Sequence, residues 1–449
     1  MRASDGKIEQ AIELLSKFAA ETGADAWDII GGKSESDSLS LSKGRVDSQE
    51  LTSSQAVSIR IFRNGSPGYA YSERMSGEAL QQMVRDAWEH TFFSAPIPVE
   101  IPAQSTPPEI ALPLYDPAVE ELSLPEMERF ALELDSHVRS LDHRIGEVTH
   151  LGLNRSLSST HFFNSKQNHF SRQRSSVAAG LQVLAIEGDS TKTGSRILTR
   201  RGLEALDSEL LAREAVERAL SMLHASPVES GDWPVILDRR ISGALFSLYS
   251  SAFYAQQVQK GQSFLADKME SQISSPLLNL VDDPHRPDLS SSRLVDGEGI
   301  VTAPLKVIEK GVLKSWLYNL ESSGRAQHSA TGNGSRGFTG GVGTQWSNMI
   351  VSPGTTTLEE MEQKYPRLLL INQLEGASGC SAVSGELSIG AQGHLIEEGK
   401  RVRPVDGITL SGNWLQLLSQ IEAIGFETAD SFSSVQVPDL LLSSIRVSG

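Results

Sequence analysis

Cysteine is nearly missing from this chain, with Cys380 alone among 449 residues. One thiol excludes an intrachain disulfide and any zinc site built from several cysteines, and it fits a reducing compartment. Long apolar runs are missing too. No stretch approaches the roughly 18 to 20 apolar residues that cross a bilayer, and the opening MRASDGKIEQ lacks the apolar core of an export signal. The expectation is a cytoplasmic protein with no membrane partner. Basic charge is in short supply, 40 Lys and Arg against 56 Asp and Glu, for a net charge of −16. So acidic a chain has little with which to neutralise phosphates, which argues against nucleic acid as a direct partner. The densest basic patch, Arg196 to Arg201, reads as a solvated strand end.

Metal-binding and nucleophilic patterns are equally sparse. None of the ten histidines lies one helical turn from another, the spacing that aims two imidazoles at one zinc ion. His137 and His143 are six apart and His161 and His169 eight apart, the latter pair split by a turn expected at Ser165 to Gln167. Each reads as an ordinary solvated or hydrogen-bonded histidine. No G-x-S-x-G elbow occurs. Gly332, Gly334 and Gly337 match a dinucleotide loop by letter, but FTGGVGTQW follows instead of a helix. The glycines from Gly393 are one residue too far apart for a P-loop, and Arg401 stands where a hydroxyl would be needed.

What the chain does have is the patterning of an α+β protein in two or three domains. Apolar residues at Ile8, Ala11, Ile12, Leu15, Phe18 and Ala19 predict an amphipathic helix over 7–22. Strands are expected at 26–30, 38–43, 48–51, 57–63 and 69–71, with Asn64-Gly65 as a hairpin turn, and a second helix over 77–91. Seven prolines between Ala95 and Pro117 mark a linker or extended crossing segment. Beyond it lie a helix over 124–138, capped by Ser123, strands at 147–153, 158–164, 171–173, 175–187 and 191–199, and a helix over 206–223. A short strand at 234–237 and one helix over 241–257 open the last stretch, whose Gly-, Ser- and Asn-split strands indicate an antiparallel β-rich domain. LKVIEKGVLKSWL from Leu305 and GHLIEEGKRVRPV from Gly393 both read as hairpins. The expected units are an α/β domain (1–95), a Pro-rich linker (96–122), a middle α/β domain (123–228) and a β-rich domain (229–449).

An ordered set of motifs completes the reading: DGEGIVT at Asp296, VIEKGVL at Val307, ATGNGSRG at Ala330, NMIVSPGT at Asn348, SGELSIGAQG at Ser384 and LIEEGKRVRPV at Leu395. With LSKGRVDSQE and FRNGSPGYAYSERMS near the start, the chain resembles the TldD/PmbA family, the modulators of DNA gyrase. The resemblance implies one of two kinds of subunit. One kind carries a His-Glu-x-x-x-His metal motif on the helix opening the third domain and a late Cys ligand. The other kind, PmbA or TldE, lacks both and pairs with the first.

Here Trp233 to Ser263 contains no His, Glu or Cys, and the degenerate helix offers Phe246, Ser247, Ser250 and Ser251. The resemblance therefore implies a subunit of the second kind, with no catalytic or metal-binding residue and no cofactor of its own. Zinc is expected on a TldD-like partner, in a heterodimer that cleaves unfolded peptides. Thr331, Gly332, Asn333, Gly334 and Arg336 are candidates for lining the peptide space. The acidic group Asp282, Asp283, Asp296 and Glu298 reads as loop-tying structure, the more so because Gly297 stands where the family commonly has a second Asp. Two alternatives stand beside this reading. One is a self-sufficient homodimeric metallopeptidase with unconventional ligands, and the other is a non-enzymatic adaptor.

Overall fold

The computed structural model describes residues 2–339, 341–429 and 432–449. Helix α1 (Arg2–Glu21) precedes three strands, β1 (Ala26–Ser42), β2 (Arg45–Arg63) and β3 (Ser66–Ser72), and helix α2 (Gly77–His90) follows them. The predicted apolar stripe is the buried one. Ile8, Ala11, Ile12, Leu15 and Ala19 pack with Leu80, Met83, Val84 and Ala87 of α2 onto Ile29, Ile59 and Ile61 of the sheet. Asn64 and Gly65 both take positive φ (49° and 77°), the two-residue turn whose twist suits a hairpin.

The Pro-rich segment runs without regular structure until helix α3 (Pro117–Glu121), but it is not loose. Ile101 and Val119 are buried, and Asn164 Nδ2 donates to the Pro102 carbonyl at 2.8 Å. Helix α4 (Leu124–Leu141) begins with Ser123 and Glu126 satisfying each other's backbone donors, a capping box with Pro125 in the first turn. Strands β4 (Ile145–Asn164), β5 (His169–Glu187) and β6 (Ser190–Arg200) and helix α5 (Ser208–Ser221) follow.

The strands of these two stretches form one sheet in the order β3-β2-β1-β4-β5-β6. β1 and β4 are paired antiparallel from Asp28–Asn164 through Leu41–Leu151. Where the sequence suggested broken strands, the sheet runs on. β1 and β2 stay in register through polar residues 33–38 and 48–55, where β1 is held by β4 and buries Leu39 and Leu41 while Asp47 to Gln55 of β2 are exposed on both faces.

The last stretch holds β7 (Gly231–Leu237), helix α6 (Arg239–Leu248) and helix α7 (Ala255–Gln259). Then come β8 (Leu280–Asp282), β9 (Leu305–Glu309), β10 (Val312–Leu313), helix α8 (Leu320–Ala326), β11 (Gly334–Arg336), β12 (Val342–Thr344), β13 (Met349–Val351) and β14 (Arg367–Glu375). The chain finishes with β15 (Glu386–Glu397), β16 (Lys400–Asn413), β17 (Ile421–Ile424), β18 (Val435–Gln436) and β19 (Leu440–Ser448). The larger sheet has the order β16-β15-β14-β7-β19-β17, and an additional β16–β19 pairing closes five of these strands into a ring. All its pairs are antiparallel except β7 with β14. The second sheet, β10-β9-β8-β13-β18, lies across a shared core of Leu, Ile, Val and aromatic side chains. The architecture is α+β, with helices on the N-terminal sheet and a β-rich C-terminal domain. No described helix is long and apolar enough to cross a membrane.

Candidate functional site

The helix expected over 241–257 is three shorter pieces. α6 stops at Leu248, Ser250–Phe253 forms a 3-10 turn, and α7 begins at Ala255. Tyr249 causes the break. Its hydroxyl donates to the Glu386 carbonyl at 2.6 Å, and its ring stacks on Trp414 at 4.6 Å, contacts that override helix continuity. Phe246 meets the same indole edge-on at 5.1 Å. Ser247 is exposed and returns its hydroxyl to the Gly243 carbonyl at 2.9 Å, and the Ser250 carbonyl accepts from Trp346 Nε1 at 3.1 Å. Cys380 lies at this edge of the core beside Tyr249. The Tyr249 phenol is raised by burial and by that neighbour, so it stays protonated.

This donor set does not suit a divalent cation. Serine and tyrosine hydroxyls, those of Ser247 and Tyr249 already engaged with carbonyls, and packed aromatic rings are not the imidazole, thiolate or carboxylate ligands that zinc takes. Among the described residues, no three His, Cys, Asp or Glu side chains are grouped as a metal site would require. His161 faces Glu9 at 3.7 Å, whereas His169 caps its own turn at Gln167, so that pair does not converge. His137 lies on α4 and the exposed His143 stands beside Asp142 at 3.6 Å.

The acidic group is tied down by donors. Asp282 accepts from Asn333 Nδ2 at 2.6 Å and the Ser347 amide at 2.8 Å, and burial pushes its carboxyl up to about 6 against the opposing pull of Arg293. Asp296 accepts three backbone amides, from Glu298, Ile300 and Gly334, at 2.8 to 2.9 Å. Asp283 accepts the His285 amide at 3.0 Å. Gly297 is required here, since a Cβ would lie 2.7 Å from the Arg336 amide.

Glu298 reaches out of this cluster to the N-terminal sheet. Its two oxygens accept from Arg60 Nη1 at 3.1 Å and the Leu320 amide at 2.8 Å. Arg60 also holds Asp28 through Nε at 3.0 Å, and Asp28 in turn pairs with Arg336. All four side chains are at most 1% exposed. They form a clamp between β1 and β2 on one side and the 296–336 loops on the other. Phe338 completes it, with its ring over Gly32, where a Cβ would come within 2.2 Å of both that ring and the Ser159 carbonyl.

The candidate lining residues are thus largely inside this junction. Gly332, Asn333 and Gly334 are buried, Thr331 is partly exposed and bonded to Asn333 at 2.6 Å, and the Arg336 side chain is 1% exposed. Sequence reasoning missed Asp28 and Arg60. The available signal was a charge of each sign inside otherwise apolar strand runs, Trp27-Asp28-Ile29 and Ile59-Arg60-Ile61.

A cavity of about 770 Å³ opens beside the clamp, between the Pro-rich segment and the sheet, with Leu112, Phe170, Arg172, Arg293 and Leu294 in its wall. Arg172 is pulled down to about 10 by burial and by the neighbouring Arg293. It makes no hydrogen bond or ion pair among the described residues, and its guanidinium lies 5.8 Å from the Phe170 ring.

Comparison with known proteins identifies the family and the fold. Residues 27–90, 117–223 and 230–449 match the PmbA/TldA metallopeptidase domain 1, central domain and C-terminal domain. The chain is 25% identical to the metalloprotease PmbA of Escherichia coli O157:H7 over 99% of both chains. It is 30% identical to a metalloprotease PmbA homolog of Buchnera aphidicola, over 56% of this chain and 54% of that one. Among solved structures, a protein described as a modulator of a DNA gyrase from Thermotoga maritima superposes with a TM-score of 0.89 at 24% identity, covering 98% of this chain and all of that one. TldE from Thermococcus kodakarensis gives a TM-score of 0.86 at 22% identity over 98% of this chain and 100% of its own. With all three domain profiles matched in order along the chain, the protein belongs to the PmbA/TldD metallopeptidase family.

Proposed function

We propose that this chain is the subunit of a TldD/TldE-type metallopeptidase that carries no metal of its own and completes the chamber of a partner that does. The carrying observation is the fate of the segment opening the third domain. Phe246, Tyr249 and Trp414 form a packed aromatic group there, and the Ser247 and Tyr249 hydroxyls are spent on carbonyls. Nothing at that position can polarise a peptide carbonyl or activate water. Hydrolysis belongs to the partner, whose zinc would supply the Lewis acid and the bound hydroxide. This chain's contribution is to exclude bulk water and hold the peptide in an extended form.

Selection for extended peptides follows from main-chain hydrogen bonding to strand edges, which reads the absence of folding more than side-chain identity. The setting is cytoplasmic, and nucleic acid and membranes are not partners. The test is expression of this chain with and without a TldD-like partner carrying His-Glu-x-x-x-His. The expected result is a stable heterodimer that cleaves an unfolded peptide, with no cleavage by this chain alone. Chelator-sensitive hydrolysis by the purified chain alone would replace this reading with a homodimeric peptidase. A chain that neither binds such a partner nor changes its cleavage would leave an adaptor.

A further inference from the structure

The cavity beside the clamp contains a surplus of positive charge that the chain does not use. Arg172 and Arg293 line it, and Arg174 and Arg201 line a neighbouring pocket, where burial and the other three arginines lower the Arg174 guanidinium, in a protein whose net charge is −16. Three of them are engaged with backbone carbonyls. Arg174 donates to Ser290 and Ser292 at 2.5 Å, Arg201 to Pro287 at 2.5 Å, and Arg293 to Gln345 at 3.3 Å. Arg293 is 3% exposed, and its Nε has no partner.

Arg172 differs from the others, because among the described residues it has neither a carbonyl nor a carboxylate. The nearest acid that acts on it, Asp296, has its oxygens taken by three amides. Glu9 also lines the cavity, but it is 64% exposed and faces His161. Arg172 is half-buried, so its guanidinium meets the water of the cavity and is free to take an incoming carboxylate as a charge-assisted partner. The facing wall is apolar, formed by Ile110, Leu112, Leu114, Phe170 and Leu294. At about 770 Å³ the space is within the usual range for a small-molecule or peptide-end pocket.

We infer that this cavity binds the C-terminal carboxylate of a short peptide whose last residue is apolar, with Arg172 as the anchor for the carboxylate. The inference rests on the peptide-handling reading above and narrows it, since it assigns this subunit a site for peptide ends separate from the partner's chemistry. The backbone on the Pro-rich side of the wall is poorly suited to extending a strand. Pro107, Pro108 and Pro113 have no N–H, and the amides of Ile110 and Leu114 already donate within the segment at 2.9 and 2.8 Å. Recognition must therefore come from charge and apolar burial rather than from a β-ladder.

The test is titration calorimetry of the full chain, without partner, against Ala-Ala-Leu, its C-terminal amide, hexanoate and inorganic phosphate. The free acid should bind about 10- to 100-fold more tightly than the amide, the range expected for losing a charge-assisted hydrogen bond. Arg172→Gln should reduce acid binding by a similar factor without changing amide binding. Equal affinity for acid and amide overturns the inference, as does hexanoate or phosphate binding as tightly as the peptide. The acid–amide comparison on the unsubstituted chain decides the matter even if the variant fails to fold. Absent binding alongside intact partner-dependent hydrolysis sinks the cavity assignment alone.

Discussion

Arginine occurs in a sealed and in a half-open setting in this molecule, and the contrast separates structure from readiness to bind. In the clamp, Arg60 is held by Asp28 and Glu298, and Arg336 by Asp28, with every carboxylate placed by a strand or a capped turn. A short distance away, Arg172 has an aromatic ring and no acceptor. The first setting is closed: its charges satisfy one another and fix how the β-rich domain meets the N-terminal sheet. The second is open, and an open guanidinium beside an apolar wall calls for something from outside. Exposure separates the two settings, with Arg60 and Arg336 sealed and Arg172 half-buried, and so does the presence of a carboxylate partner.

The sharpest way to break this contrast is to remove Arg60. Arg60→Ala leaves the carboxylates of Asp28 and Glu298 buried and short of a partner, and should cost about 3–5 kcal/mol by urea denaturation. A loss below about 1 kcal/mol would mean the clamp is no more essential than a surface pair. Asp282 offers the next effect. Burial raises its carboxyl to about 6 in the folded chain, above about 3.9 when unfolded. Its charged form thus opposes folding above pH 6, and that opposition fades as pH falls toward 4.

On this group alone the folded state gains on the order of 2–3 kcal/mol on acidification. Asp439, also raised to about 6 by burial, acts with the same sign. His394, held below its ordinary value by burial, acts with the opposite sign between pH 7 and pH 5, so the readout is the difference between chains: Asp282→Asn should gain melting temperature relative to the unsubstituted chain at pH 7 and lose that gain by pH 5. A difference between the two chains that does not change across that window contradicts the assignment. Smaller still is Gly32→Ala, whose new methyl would meet the Phe338 ring and the Ser159 carbonyl, for a loss of about 1–3 kcal/mol in the same denaturation assay. At the far end, Leu51→Ser on the exposed part of β2 should shift stability by no more than about 0.5 kcal/mol.

Local signals carried much of the fold. The stripe from Ile8 to Ala19, the turn at Asn64-Gly65 and the cap at Ser123 each depend on neighbours within a few residues, so the sequence displays them directly. The missing ligands between Trp233 and Ser263 are equally plain. What stayed hidden depends on distant partners. The helix through Tyr249 is interrupted by Glu386 and Trp414, which lie in another part of the chain and exert no periodicity on it.

The long strands looked broken because residues 47–55 are exposed on both faces and so lack the alternation that marks a half-buried strand. The cavity arginines come from β5 and from the loop after β8, and neither position is unusual by itself. Thr331 to Arg336 stood out by their glycines. The structure gives those glycines a packing reason, with Gly334 pressed against Asp296 and Glu298.

The seam between β1 and β4 limits how the molecule can be divided. A fragment ending after α2 would retain β1 but lose the partner that covers it from Asp28 to Leu41. That leaves a long row of backbone donors and acceptors facing water, which is the surface through which strands from separate molecules join into aggregates. A cut near Ala95 should therefore precipitate, whereas one after Leu223 keeps the shared sheet whole but gives up Glu298 and Arg336 of the clamp and Arg293 of the cavity, so binding work calls for the full chain.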